Sequence, residues 1–367
     1  MNPAARSLLA WYRKHRRTFP WRPPRDAYSV WVSEVMLQQT RAETAAPYYV
    51  RWMEHWPTMA SLAEASDAEV LRLWEGLGYY RRALALRDGA RRVLSDYGGS
   101  LPKDLGVLLR LPGIGPYSAA AISALAFGRD EIALDGNLRR VLSRLIDLNV
   151  EARSPEGTRL LLAHAHAILP TGRAAEFNQA LMDLGAMVCL PRQPRCPECP
   201  VARWCAARLA GTQGERPVRA EPKPVPRRAA AVGVLRRKGR VLIARRAPGR
   251  LLGGLWEFPG GKRRAGESLP ACLRRELKEE LGIEVAVDEP LGQVRHAYSH
   301  FQVVVHVYAC RLRRGKPTAM EHSAIRWVAP PQLSRYPMGK VARTIARSLS
   351  DQRKSPAARS VPRRRPL

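Results

Sequence analysis

The chain has 367 residues, 46% hydrophobic and 26% charged, a balance that supplies real cores and excludes a wholly disordered or collagen-like polymer. Two domains are expected at this length rather than one, and no uninterrupted apolar run reaches the ~18 residues of a membrane span. Lysine and arginine outnumber aspartate and glutamate by 62 to 32, and the net charge of +30 favours a polyanionic partner, nucleic acid before membrane surface, although an arginine-biased proteome would give the same balance.

The charge is uneven: residues 1–210 hold 28 basic and 20 acidic side chains, and residues 211–367 hold 34 and 12. Only Lys14 and Lys103 lie in the first 210 residues. The start is Arg-rich, but Trp11–Arg22 runs straight into a motif-bearing segment, so no leader is expected and the cytoplasm is the expected compartment.

Residues 1–212 read as an all-helical domain. Apolar positions recur at three- and four-residue spacing (Leu105, Leu108, Leu109; Val141, Leu145, Leu148), with breaks at Pro102, Pro112–Pro116 and Pro170–Gly172. Glu34 sits inside the largely apolar helix YSVWVSEVMLQQT (28–40), where desolvation would raise its pKa and keep a proton available near neutral pH. An exposed helical glutamate is the plainer alternative. In LPGIGPYSAAAISALAF (111–127), Gly113 and Gly115 form a tight turn before a helix, whose backbone N–H groups can hold a phosphate without reading sequence. Asp135 opens the helix GNLRRVLSRLIDL, either as its N-cap or as an anion held beside a developing cation. Cys189, Cys196, Cys199 and Cys205 follow C-x6-C-x2-C-x5-C. Thiolates this close bind a metal, and a single C-x2-C knuckle favours a [4Fe–4S] cluster over zinc.

Residues 213–227 have the proline-rich, charged composition of a linker. Residues 228–349 read as a small α+β domain. Ala229–Leu235 and Val241–Arg245 flank a Lys238-Gly239 turn, FQVVVHVYAC (301–310) is a strand, and Leu269–Leu281 is a helix. Residues 350–367 read as a basic disordered tail.

FPWR (19–22), WVSEVMLQQT (31–40), GLGYY (76–80), LPGIGPYSA (111–119), ALDGNLRRV (133–141), FNQALMDLGAMVC (177–189) and the cysteine cluster together resemble the MutY family, adenine DNA glycosylases of the endonuclease III-like superfamily. The resemblance implies a multidomain fold: a helix-hairpin-helix glycosylase domain with an iron–sulfur loop, followed by a Nudix-like domain. It implies a monomer acting on double-stranded DNA, removing adenine mispaired with 8-oxoguanine or guanine after flipping it from the stack. Glu34 matches the acid that protonates adenine at N7, and Asp135 the aspartate that stabilises the sugar cation. Asn137 and Tyr117 match residues lining that site, Arg22 belongs to the adenine pocket, and Gln39 and Tyr79 match side chains that wedge into the duplex. In the lyase relatives a lysine nucleophile stands where this chain has Tyr117, so a monofunctional glycosylase is expected.

GLWEFPGGK (254–262) leads into a complete Nudix box: Gly261, Glu267, Arg275, Glu276, Glu279, Glu280, Gly282 and Ile283 satisfy G-x5-E-x7-R-E-U-x-E-E-x-G-U. Glu276, Glu279 and Glu280 share a helix face, a cluster suited to Mg²⁺ beside a diphosphate. The family commonly lacks this box. Its presence raises a Mg²⁺-dependent nucleotide pyrophosphohydrolase as the alternative activity, beside metal binding without turnover or a helix kept for packing. Tyr298, Ser299 and His300 match the family's lesion-reading loop, with Ser299 the expected 8-oxoguanine contact.

Overall fold

The computed structural model describes residues 1–22, 26–220, 224–298 and 301–351. Helices lead the chain: α1 (Pro3–His15), α2 (Ala27–Leu37), α3 (Ala42–His55), α4 (Met59–Glu64), α5 (Asp67–Leu73), α6 (Arg81–Tyr97), α7 (Leu105–Leu108), α8 (Pro116–Phe127), α9 (Gly136–Leu145), α10 (Pro155–Ile168), α11 (Ala174–Met187) and α12 (Ala206–Leu209). Strands follow: β1 (Arg227–Arg237), β2 (Arg240–Arg246), β3 (Trp256–Glu257) and β4 (Gly260–Lys262), then α13 (Leu269–Leu281), β5 (Glu284–Ala297), β6 (Gln302–Arg314), β7 (His322–Val328) and α14 (Lys340–Asp351). No helix among the described residues is long and apolar enough to cross a membrane.

The chain forms two compact units, one from Met1–Ala65 with Arg82–Pro222, the other from Ser66–Arg81 with Lys223–Leu367.

In the first unit, local chemistry sets the helix ends. Asp26 and Ser29 form a reciprocal capping box at the start of α2. Pro116 occupies the first turn of α8, and Gly128 ends that helix in the left-handed region. α2 and α8 are buried nearly all round and pack on each other, so they form the centre of the unit. α9, α10 and α11 enclose a second core around Leu138, Leu142, Leu161, Phe177 and Leu184. The turn before α8 needs glycine at position 113 twice over: φ is 78°, and a Cβ there would lie 2.9 Å from the Ala85 Cβ. The sequence-level linker is partly docked, since Arg216 pairs with Asp147 at 2.8 Å and the Gln213 carbonyl accepts from Arg144 at 2.8 Å.

The second unit is a mixed sheet in the order β3-β2-β1-β6-β5, with β4 on β1 and β7 on β2. β1 and β6 run parallel; the other pairs are antiparallel. The β1–β2 hairpin turns on Lys238 (φ 46°) and Gly239 (φ 73°), the paired left-handed residues of a type I′ turn. Alternation along β1 and β2 sends Ala231, Leu235 and Leu242 toward α13, and Val234, Val241 and Ile243 toward α14.

Residues 66–81 belong to this unit, whereas the sequence reading assigns them to the helical domain. Glu75 pairs with Arg343 of α14 (Nη2, 2.9 Å) and accepts the Met338 N–H at 3.2 Å, and the Tyr80 hydroxyl donates to the Met338 carbonyl at 3.3 Å. These polar ties span more than 250 residues of sequence, which no local pattern reports.

Candidate active site

Glu34 is 3% exposed, one of nine consecutive buried residues of α2. Tyr117, in the first turn of α8, donates its hydroxyl to Glu34 Oε2 at 2.6 Å. Burial pushes the Glu34 carboxyl up to about 7, the Tyr117 hydrogen bond pulls it down, and the charges of Asp135 and Arg22 push in opposite directions. The exposed-glutamate alternative is thereby removed, and the carboxyl titrates near neutrality. Burial also drives the Tyr117 hydroxyl well above its usual range, so it stays a donor.

Asp135 fills its N-cap role within electrostatic reach of Glu34. One carboxylate oxygen accepts the Leu138 N–H at 2.7 Å, and the other accepts from Asn137 Nδ2 at 2.9 Å. Burial raises its pKa, while these donors stabilise the charged form. The N-cap is formed, and it orients the carboxylate.

Sequence reasoning missed further charged residues around this pair. Asp183 on α11, with its side chain fully buried, accepts from Arg22 at 2.8 Å and from Arg17 Nε at 2.9 Å. Its signal was a lone acid in the apolar stretch Ala180–Val188. Phe19 stacks on Trp21 (centroids 4.9 Å apart), and the Arg17 guanidinium lies over its ring at 4.9 Å. Arg140 was missed as well. Its Nη2 donates to Asn137 Oδ1 at 2.9 Å and its Nε to the Cys189 carbonyl at 2.7 Å. One turn later the buried Arg144 donates to Cys189 Sγ at 3.2 Å and to the Leu190 carbonyl at 2.7 Å.

Cys189, Cys196, Cys199 and Cys205 all line one cavity with Arg144 and Arg208. Burial pushes the Cys199 thiol up to about 12 and raises the Cys205 thiol as well, so these two favour the thiolate only against a cationic group. An all-sulfur donor set around a cavity, with guanidinium groups on its wall, fits a [4Fe–4S] cluster.

Two family signatures match: HhH-GPD superfamily base excision DNA repair protein over residues 32–163, and NUDIX domain over residues 231–348. The human protein named adenine DNA glycosylase is 34% identical, over 97% of this chain and 78% of its own length. The chain belongs to the adenine DNA glycosylase family. The Mycolicibacterium smegmatis adenine DNA glycosylase is 43% identical over 57% of this chain and 72% of its own. A solved structure described as a thermostable thymine-DNA glycosylase superposes with a TM-score of 0.52 at 30% identity, covering 56% of this chain and 95% of that one.

Other features of this adenine DNA glycosylase family member fall in two places. In the first unit, Gln39 is exposed just beyond α2 with φ 56°, and Gly113 and Gly115 form the turn entering α8. In the second, Tyr79 is 46% exposed with φ 48°. A positive φ is costly for a residue with a side chain, and held strain of this kind clusters at functional sites. Tyr298 stacks on Phe301 (centroids 4.7 Å apart) and meets His296 edge-on at 4.5 Å. Ser299 and His300 lie outside the described residues.

The Nudix box is tied together by ion pairs. Of Glu276, Glu279 and Glu280, the first two are engaged by Arg275. Its guanidinium contacts Glu267 at 2.8 Å, Glu276 at 2.8 Å and Glu279 at 2.9 Å. Glu280 turns away to accept the Gly260 N–H at 2.9 Å, and burial pushes its carboxyl up to about 7. Among the described residues no three of the box's carboxylates group so as to hold a metal ion. A Cβ at Gly261 would come within 2.4 Å of the Glu276 carboxylate, which would have to move aside. Glu267, Arg275, Glu276 and Glu279 thus form an internal ion network on this helix face.

Proposed function

We propose that this adenine-specific DNA N-glycosylase of base-excision repair acts on adenine mispaired with 8-oxoguanine or guanine in double-stranded DNA and leaves an intact abasic strand. The observation that carries the mechanism is the buried Tyr117–Glu34 pair beside the capped Asp135. Adenine must leave the stack to reach groups this deep. Glu34, which titrates near neutrality, delivers its proton to the departing base, while Tyr117 holds its carboxyl in place. The Asp135 carboxylate, oriented by Leu138 and Asn137, stabilises positive charge developing on the sugar. Arg22, fixed by Asp183, forms part of the base pocket.

With Tyr117 at the position of the lyase lysine, and Lys14 and Lys103 outside these motifs, the site has no amine nucleophile. A [4Fe–4S] cluster held by Cys189, Cys196, Cys199 and Cys205 would close the loop on which Arg140 and Arg144 are anchored. Gln39, Tyr79 and the Gly113–Gly115 turn are assigned to the duplex, and Tyr298, Ser299 and His300 to the oxidised guanine. The enzyme acts as a monomer on cytoplasmic nucleoid DNA.

A single-turnover assay on a duplex with one 8-oxoguanine:adenine pair, against a thymine:adenine control, tests the reading. Breaks that appear only with the mispair and only after alkali are expected. Breaks without alkali would overturn the monofunctional assignment, and no breaks at all would overturn the substrate.

A further inference from the structure

The loop that carries Gln39 is tied down by a residue the mechanism above does not use. The last turn of α2 reads EVML and holds no base, so its final carbonyls need donors from elsewhere in the chain. Arg82, in the first turn of α6, supplies them. Its Nη1 donates to the carbonyls of Val35 at 2.8 Å, Met36 at 3.3 Å and Gln38 at 2.5 Å, and its Nη2 donates to the Thr40 hydroxyl at 3.4 Å. The dipole of α6 does not favour a cation at this position: a helix start carries partial positive charge, and the first turn, RRAL, holds no acid. The end of α2 presents the opposite field. Arg82 is thus placed to serve α2 and the loop after it, against the preference of its own helix.

Both neighbours of Gln39 are held. The Gln38 carbonyl, bound by Arg82, belongs to the peptide that leads into Gln39, and the Gln38 side chain donates through Nε2 to the buried Ser118 hydroxyl at 2.9 Å. On the other side the Thr40 hydroxyl accepts from Arg82 and donates to the Gln38 carbonyl at 3.4 Å, and the Thr40 N–H donates to the Leu37 carbonyl at 3.3 Å. Between these anchors Gln39 itself is exposed, in the left-handed region at φ 56°. A residue with a side chain takes that conformation at a cost, and it persists only where the surroundings over-determine it. The bonds of Arg82, Ser118 and Thr40 are those surroundings.

We propose that Arg82 is a positioning residue for mispair recognition. By fixing Gln38 and Thr40 it holds Gln39 in its outward, left-handed conformation before DNA arrives, so the duplex does not have to order the loop. Rigidity set in advance improves binding by removing an ordering cost, and for one residue's backbone that cost is on the order of tenfold in affinity. The inference deepens the assignment of Gln39 to the duplex and rests on it.

The test uses the full-length protein and a duplex with 8-oxoguanine opposite carbocyclic adenosine, which is not excised, with 2-aminopurine beside the 8-oxoguanine to report unstacking. Affinity is measured for this duplex and for a fully matched one. The variants are R82M, the milder T40V, which removes the hydroxyl held by Arg82 but keeps the α2 carbonyl bonds, and Q39A. R82M is expected to weaken mispair binding about tenfold, to keep matched-duplex binding within about twofold of wild type, and to lose most of the 2-aminopurine rise at saturating protein. T40V should move both readouts the same way by less. A drop in the folded fraction would lower both affinities alike and leave the saturated signal intact, and that pattern in R82M would overturn the proposal. Q39A separates the two readings. A signal lost in Q39A but kept in R82M and T40V would refute the role of Arg82 alone, whereas a signal kept in Q39A would refute the duplex assignment of Gln39 and the proposal with it.

Discussion

Glu34→Gln should abolish excision and, at the same time, stabilise the protein in a pH-dependent way. The carboxyl ionises near 4.5 in an unfolded chain and at about 7 in the fold, where burial penalises its charge. Its folded pKa is raised, so its contribution to stability is fully present below about 4.5, declines as pH rises, and is lost above about 7. At about 1.4 kcal/mol per pKa unit the whole change amounts to about 3 kcal/mol. Glutamine has nearly the same shape, keeps a partner for the Tyr117 hydroxyl, and carries no charge to bury. Relative to wild type, the variant should therefore gain about 2 to 3 kcal/mol between about pH 5 and about pH 8. Denaturant titrations of both proteins at the two pH values measure this, since every other titrating group cancels in the comparison. A difference that stays constant with pH, or that moves against the variant at the higher pH, would refute the account of Glu34 as a destabilising buried acid.

Tyr117→Phe removes a donor to the charged form of Glu34, so the Glu34 pKa should rise above about 7. The alkaline limb of the single-turnover rate profile should then move up by about one to two pH units, and a downward shift would contradict the geometry. Asp183→Asn strips the buried counter-charge from Arg17 and Arg22. Thermal melting should report a loss of about 3 to 5 kcal/mol, while excision falls because Arg22 is no longer fixed; unaltered excision would show that Asp183 does not position it. Arg275→Met leaves Glu267, Glu276 and Glu279 facing one another. Arg275 holds the Glu267 carboxyl down to about 2, a contribution present above about 4.5 and lost as pH falls toward about 2. The variant's melting temperature should therefore drop at neutral pH and converge on wild type in acid.

Much of this protein is written locally. The helical first part, the β1–β2 hairpin at Lys238-Gly239 and the α13 boundaries follow from periodicity, turn residues and caps, which act within a few residues of sequence. The burial of Glu34 was legible too, because a charge amid Val30, Trp31, Val35 and Leu37 has no polar face to turn to. The cysteine spacing announced its loop for the same reason: the ligands lie close along the chain.

What only the tertiary structure decided are the partnerships of charged groups distant in sequence. Tyr117 meets Glu34 across 83 positions, and Asp183 meets Arg22 across 161. Residues 66–81 join the second unit through Glu75 and Arg343, 268 positions apart. The Nudix box shows the limit most clearly. Its letters specify three glutamates on one helix face, yet whether those carboxylates meet a divalent cation or a guanidinium depends on where Arg275 points. Coulombic energy depends on distances between side-chain tips, and a motif records only the order of residues along a backbone.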